Sequence, residues 1–244
     1  MSNKQTLLIV GAKSDIAISV ANFFASKGYD LQLAGRNIYE LNDYKESLKS
    51  QYEISVNLYE LNILDYESFP RFIALLNKLP DIALCAVGIL SDQLECEKKP
   101  MLSSTVFETN YIGPSLFFAE IANCFVKRKS GSIIGISSVA GEKGRASNYI
   151  YGSSKAGFSN FLSGLRNRLY KHNVNVLTVL PGPVKTKMTK HLNTSKFVSS
   201  SPNKVAEIIY KNRQSSKIVY TPPWKILMFL LKLLPEKIFL RMKL

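Results

Sequence analysis

The chain has 244 residues, 46% of them apolar, with three Cys and a formal charge of +14. That length and apolar content exclude a disordered chain and give one domain a substantial core. The three scattered Cys, at 85, 96 and 124, exclude a disulfide scaffold and lack metal-ligand spacing. The charge is uneven: residues 1–180 hold 19 Lys/Arg against 16 Asp/Glu, whereas residues 181–244 hold 13 against 2.

Met1 to Gln5 run directly into a strand-like stretch, without the basic and apolar regions of a secretion signal. The expectation is a chain kept in a reducing cytosol. Strands are predicted at Thr6–Val10, Leu31–Ala34, Ile54–Tyr59, Ile82–Val87, Ser132–Ser137, Val174–Leu180 and Ile218–Tyr220. Amphipathic helices are predicted over 15–27, 38–50, 66–78, 103–128, 150–171 and 203–213. Nearly continuous apolar strands alternating with helices imply an α/β fold, a doubly wound parallel sheet of about seven strands in three layers. Ligands of such sheets bind beyond the C-terminal strand ends, at the topological switch. The polar stretch Lys185–Pro202 reads as a mobile loop or a short helical lid. The domain is expected to span 1–221, followed by an amphipathic basic extension over 222–244.

The first strand delivers Gly11-Ala12-Lys13-Ser14-Asp15-Ile16-Ala17 into the first helix. A glycine turn there lets backbone N–H groups and a helix N-terminus face a pyrophosphate. Gly11, Lys13, Ser14, Asp15 and Ile16 are therefore candidate cofactor contacts. Only Gly11 of the expected glycines is present, so an ordinary strand–helix turn capped by Asp15 fits this loop equally well. A carboxylate beside a phosphate repels it unless Asp15 turns inward to cap the helix. The end of the second strand says more. An acid there would bind the ribose 2′-hydroxyl of NAD, but this chain has Ala34-Gly35-Arg36-Asn37. Arg36 can fork onto a 2′-phosphate, with Lys13 adding charge from the adjacent loop, which favours NADP(H) over NAD(H). The alternative is a plain solvated charge.

Tyr151 and Lys155 stand four apart on a predicted helix and so share a face. A phenol with a pKa of ~10 is a poor acid–base catalyst near neutrality, and a neighbouring ammonium stabilises its phenolate. Ser138 lies 13 residues before Tyr151, at the end of the Ser132–Ser137 strand. Asn110 sits in a helical pattern, and Pro181-Gly182-Pro183-Val184-Lys185-Thr186 follows the sixth strand.

Asn110, the Ile136-Ser137-Ser138-Val139-Ala140-Gly141 segment, Tyr151 with Lys155, and the Pro-Gly-x-Val-x-Thr segment resemble the short-chain dehydrogenase/reductase family in order and spacing. The resemblance runs from about Thr6 to Tyr220. It implies a Rossmann-type sheet, a nicotinamide cofactor, hydride transfer and assembly with further copies of the chain. It also implies roles. Tyr151 would be the general acid/base; Lys155 would lower its pKa and hold the nicotinamide ribose. Ser138 would hydrogen-bond the substrate oxygen, and Asn110 would anchor a water linking Lys155 to solvent. Pro181, Gly182, Val184 and Thr186 would border the nicotinamide.

The chain departs from the family pattern in places. The usual Asn-Ala-Gly after the fourth strand is Ala86-Val87-Gly88, and Asn62 replaces an Asp common near the adenine. Asn62 can still reach the adenine amino group through its side-chain oxygen. The Asp-Ile-Ala loop is similar to a narrower branch that includes the keto-sugar reductase of decaprenyl-phosphoryl arabinose synthesis. The expected function is an NADP(H)-dependent carbonyl reductase or alcohol dehydrogenase acting on a small-molecule or lipid-linked carbonyl. The runner-up is a reductase of a polyprenyl-linked keto-sugar. A non-catalytic Rossmann-fold binding protein is left open by the irregular glycine loop alone.

Trp224–Leu244 is mostly apolar but interrupted by Lys225, Lys232, Lys237, Arg241 and Lys243. A spanning helix needs ~20 mostly apolar residues, so this segment does not cross a bilayer. Trp224 at its start, cations at its rim and the basic last quarter fit a helix lying on the inner face of an anionic membrane. The alternative is a helix packed on the body or a subunit. Nothing accompanies the cations that would recognise nucleic acid. His172 and His191 stand apart from other ligand types, so no metal site is expected.

Overall fold

A computed structural model describes residues 4–190 and 197–242. Seven strands form one sheet: β1 (Thr6–Val10), β2 (Asp30–Gly35), β3 (Val56–Glu60), β4 (Ile82–Cys85), β5 (Gly131–Ile136), β6 (Val174–Leu180) and β7 (Ile218–Tyr220). Their order is β3-β2-β1-β4-β5-β6-β7, and every pairing is parallel. The order reverses between β1 and β4, which sets a crevice at their C-terminal ends.

Alternation along the strands divides the core. Leu7 and Ile9 of β1 face one layer, with α1 (Asp15–Ala25), α2 (Asn42–Tyr52) and α8 (Pro202–Asn212) packed over it. Leu8 and Val10 face the other, under α3 (Phe69–Leu75), α6 (Gly113–Arg128) and α7 (Tyr149–Leu169). Phe69, Phe72, Phe117, Phe118 and Phe158 fill that second layer with edge-on and stacked rings. Both faces are therefore dry, which is why the strands read as unbroken apolar runs.

The structure differs from the expected helices in three places. The span 103–128 is not one helix: α5 (Leu102–Phe107) and α6 are joined by a π turn at Glu108–Ile112. Just beyond the break Gly113 packs tightly, since a Cβ there would lie 2.3 Å from the Ile63 carbonyl oxygen. A short helix, α4 (Gln93–Lys98), precedes α5; it is too polar and brief to show a period. The tail forms α9 (Trp224–Leu233) and α10 (Glu236–Phe239). No helix of the described residues is long and apolar enough to cross a membrane.

The Lys185–Pro202 stretch is tied down at its ends. Val184 bridges Ser200, Lys185 N–H donates to the Ser200 carbonyl at 2.9 Å, and Lys187–Thr189 form a short helical turn. Residues 191–196, including His191, lie outside the described residues.

Candidate active site

A cavity of about 550 Å³ opens at the C-terminal ends of β4, β5 and β6. Its wall includes Ile16, Gly88, Ser138, Tyr151, Lys155, Pro181, Gly182, Val184 and Thr186, nine of the residues singled out from the sequence. Asn110 lies directly behind it, fully buried. A Cβ on Gly88 would sit 3.4 Å from Asn110 Oδ1 and 3.5 Å from Lys155 Nζ, so three of these residues meet at one point.

Local structure holds each group in place. Ser138 follows β5 in extended backbone, and its Oγ accepts from Ala140 N–H at 3.1 Å. Tyr151 and Lys155 project one turn apart from α7. That helix is drawn against the 139–141 turn, where a Cβ on Gly141 would fall 2.6 Å from the Ala156 nitrogen. Lys155 Nζ donates to the Ile136 carbonyl at 3.2 Å. Asn110 Oδ1 accepts from Ile89 N–H at 2.8 Å, while Nδ2 donates to the Ile89 carbonyl and to Ser154 Oγ. Both amide hydrogens of Asn110 are thus spent on holding the loop and α7, which leaves its backbone for any link through water.

Two serines escaped the sequence reading. Ser137 Oγ donates to the Lys155 carbonyl at 2.8 Å, and Ser159 Oγ donates to Ser137 at 2.7 Å. Ser154, beside Lys155, adds a third bond of this kind, its Oγ donating to the Tyr151 carbonyl at 2.7 Å. Ser137 and Ser154 pin the backbone that carries the reactive side chains, and Ser159 holds Ser137 in place. Adjacency to Ser138 and Lys155 signals Ser137 and Ser154, and Ser159 stands one helical turn after Lys155.

Burial dominates the electrostatics. It pulls the Lys155 ammonium down to about 8, with the Cys85 sulfur opposing, and it raises the Tyr151 phenol. A hydrogen bond with Ser138 works against that rise. The expected lowering of the phenol by Lys155 is therefore not the ruling effect in the protein by itself; desolvation outweighs it.

The cofactor end holds one correction. Ser14, not Asp15, caps α1, with its Oγ accepting from Ala17 N–H at 3.2 Å. Asp15 instead turns across the cleft, where Oδ2 accepts from Lys187 N–H at 2.6 Å. A serine one residue earlier already occupies the cap, and the carboxylate gains a partner in the loop after β6. The Asp15 carboxylate thus meets the loop after β6 rather than the cap of α1. Gly11 takes φ +81°, and a Cβ there would strike Val87, so only glycine fits this turn into α1. The first-turn amides of α1 suit a pyrophosphate. These backbone groups fit a dinucleotide.

The adenosine end is mixed. Arg36 is exposed at the end of β2 and has no partner among the described residues. Glu60 fixes its loop by accepting from the Asn37 and Ile38 amides at 2.8 and 3.1 Å. Lys13 is paired with Glu40 at 3.0 Å, a solvent-facing bridge that a stronger anion can displace. Asn62 Oδ1 accepts from Leu64 N–H at 3.1 Å, so the oxygen meant for the adenine is already engaged in a local turn.

The tail corrects a second expectation. Trp224 does not sit at a membrane interface: it is buried in the cavity wall, and Nε1–H donates to the Val198 carbonyl at 2.7 Å. Gly182 makes room for the ring, since a Cβ there would overlap the indole. Trp224 and Met228 pack on Val139 and Leu180, and Lys232 reaches Glu142 at 2.8 Å. Among the described residues no group of His, Cys, Asp and Glu could hold a metal.

Comparison with known proteins places this arrangement. The short chain dehydrogenase family model matches residues 5–196. An uncharacterized oxidoreductase of Mycobacterium tuberculosis is 31% identical over 241 residues, covering 97% of this chain and 96% of its own. A short-chain dehydrogenase from Sphingobium yanoikuyae, solved in complex with NADPH, is similar with TM-score 0.80 at 20% identity, covering 95% of this chain and 97% of its own. A 3-oxoacyl-(acyl-carrier protein) reductase from Brucella melitensis with bound NAD also reaches TM-score 0.80, at 19% identity and 90% of each chain. At those identities the solved structures show the shared fold. The matched segment contains Asn110, Ser138, Tyr151 and Lys155, and the chain belongs to the short-chain dehydrogenase/reductase family of oxidoreductases.

Proposed function

We propose that this chain is an NADP(H)-dependent carbonyl reductase acting on a lipidic or membrane-borne substrate. The observation that carries the reading is the convergence of Ser138, Tyr151 and Lys155 on one cavity at the sheet's switch point. NADPH, when bound, supplies the hydride. The chain's own residues do the rest. Ser138 Oγ–H holds the substrate oxygen, and Tyr151 gives it a proton as negative charge develops there. A phenol raised by burial rests protonated, which suits donation and therefore reduction. Lys155, still charged below about 8, steadies the phenolate left behind and is placed to hold a ribose hydroxyl. The first turn of α1 and Gly11 would take the pyrophosphate, and Pro181, Gly182, Val184 and Thr186 would flank the nicotinamide. The free guanidinium of Arg36, with no acid at the end of β2, supports NADP(H) over NAD(H).

The lipidic substrate and the membrane are inferred from α9. Its inner face is used by Trp224 and Met228, yet Ile226, Phe229, Leu230 and Leu233 are 54–69% exposed along one outer stripe. Lys225 and Lys237 are exposed nearby. An anionic bilayer matches both the apolar stripe and the basic surround.

Tyr151→Phe is expected to lose more than nine-tenths of NADPH-dependent carbonyl reduction while NADPH fluorescence titration stays unchanged. A melting curve excludes misfolding, and a folded variant that keeps over a tenth of activity contradicts the assigned acid. For Arg36→Asp, kcat/KM measured with both cofactors should move from NADPH toward NADH. An unchanged ratio would mean that Arg36 does not meet the 2′-phosphate. The full chain should co-sediment with anionic liposomes, less so with neutral ones, and release partly at 1 M salt, where the Debye length is about 3 Å. Phe229→Glu with Leu233→Glu should leave it in the supernatant. Equal sedimentation of both chains contradicts the membrane reading, and a dimer lost on substitution assigns the stripe to a second copy.

A further inference from the structure

Arg145 stands on the wall of the same cavity, in the segment that joins the 139–141 turn to α7. Its guanidinium has no hydrogen bond or ion pair with any described residue, and burial lowers its pKa with no acid acting in opposition. Five donors left idle beside a cavity are unusual, because half-buried cations ordinarily find a partner. Asp92 is the acidic side chain among the residues lining this cavity. Its carboxylate is engaged elsewhere, since Oδ1 accepts from Glu95 N–H at 3.1 Å and caps α4. No ion pair joins it to Arg145.

A second group at the same end is also unsatisfied. Asn148 closes one turn with Arg145, its N–H donating to the Arg145 carbonyl at 3.1 Å. Its Oδ1 is buried and has no partner, and the residue lines the cavity. The protein thus presents an unused fork of donors and an unused acceptor in one turn of the chain, on a cavity that Tyr151 and Ser138 also line. Leu90, Leu94, Val139, Met188 and Trp224 add apolar surface to the lining.

We propose that Arg145 binds an anionic oxygen group of the substrate, a phosphate or a carboxylate, and that Asn148 Oδ1 accepts from a hydroxyl beside it. The substrate would then be a carbonyl compound with a charged head and an apolar body. This rests on the cavity's being the substrate site of the proposed reductase. Guanidinium recognition of such a group is bidentate, so Lys is a poor replacement and Gln none.

Trp224 is the sole tryptophan and lines the cavity, so its emission reports occupancy directly. The full chain, saturated with NADP+ so that the 2′-phosphate site is filled, is titrated with octyl phosphate, octanoate, octanol and inorganic phosphate. Octyl phosphate or octanoate is expected to bind at least tenfold more tightly than octanol. Arg145→Gln should bring that ratio within twofold, and Arg145→Lys should keep only part of it, with melting temperatures unchanged. Inorganic phosphate matching octyl phosphate, again only with Arg145 present, assigns the site to a free oxyanion rather than a headgroup. Equal binding of octanol and the anions, or a preference that survives Arg145→Gln, overturns the proposal. NADPH fluorescence is read separately. A chain that prefers the anions but binds no NADPH would defeat the reductase reading and leave Arg145 standing.

Discussion

Lys155 keeps an ammonium group almost wholly buried, and much of the site is arranged around that cost. The side chain is 4% exposed, at the foot of the cavity, with the Ile136 carbonyl as its hydrogen-bond acceptor. An ammonium taken out of water costs several kcal/mol unless its surroundings compensate. Here they do so only in part, and the depressed pKa records the shortfall. In the proposed reaction that charge steadies the phenolate left when Tyr151 gives up its proton. It also makes this lysine a destabilising element of the fold. Between about 8 and its ordinary value the unfolded chain binds more protons here, so this group's contribution favours folding more as pH rises through that window.

Holding such a group still requires the backbone around it to be rigid. Ser137 ties the Lys155 carbonyl to the end of β5, and Asn110 ties Ser154 to the loop after β4. Asn110 sits in the π turn, and just beyond it Gly113 packs against the Ile63 carbonyl. Core packing of α6 and α7 through Phe118 and Phe158 then fixes the relative depth of the two helices. The chain from phenylalanine packing to proton transfer is short, and each link is a named contact.

The strands were legible because both faces of the sheet are buried, so β-branched runs stood out wherever a strand occurs. The pair Tyr151 and Lys155 was legible because helical spacing alone puts them side by side. What stayed hidden depends on contacts distant in sequence. Asp15 looks like a helix cap until Lys187, 172 residues away, is folded beside it. Trp224 looks like an interfacial anchor until Gly182 and the Val198 carbonyl receive it. Amphipathicity gave α9 an apolar side, but Trp224, Met228 and the stripe at Ile226, Phe229, Leu230 and Leu233 belong to opposite faces. No count of apolar residues separates the side that is covered from the side that is not.

Burial, not pairing, sets the charge of Lys155 in the free protein, and on that the chemistry of the site turns. The direct measurement is the titration of its ammonium by NMR of lysine labelled at Cε, assigned by comparison with Lys155→Met. The expected midpoint is about 8. A midpoint near the ordinary ~10.4 of a solvated lysine would contradict it.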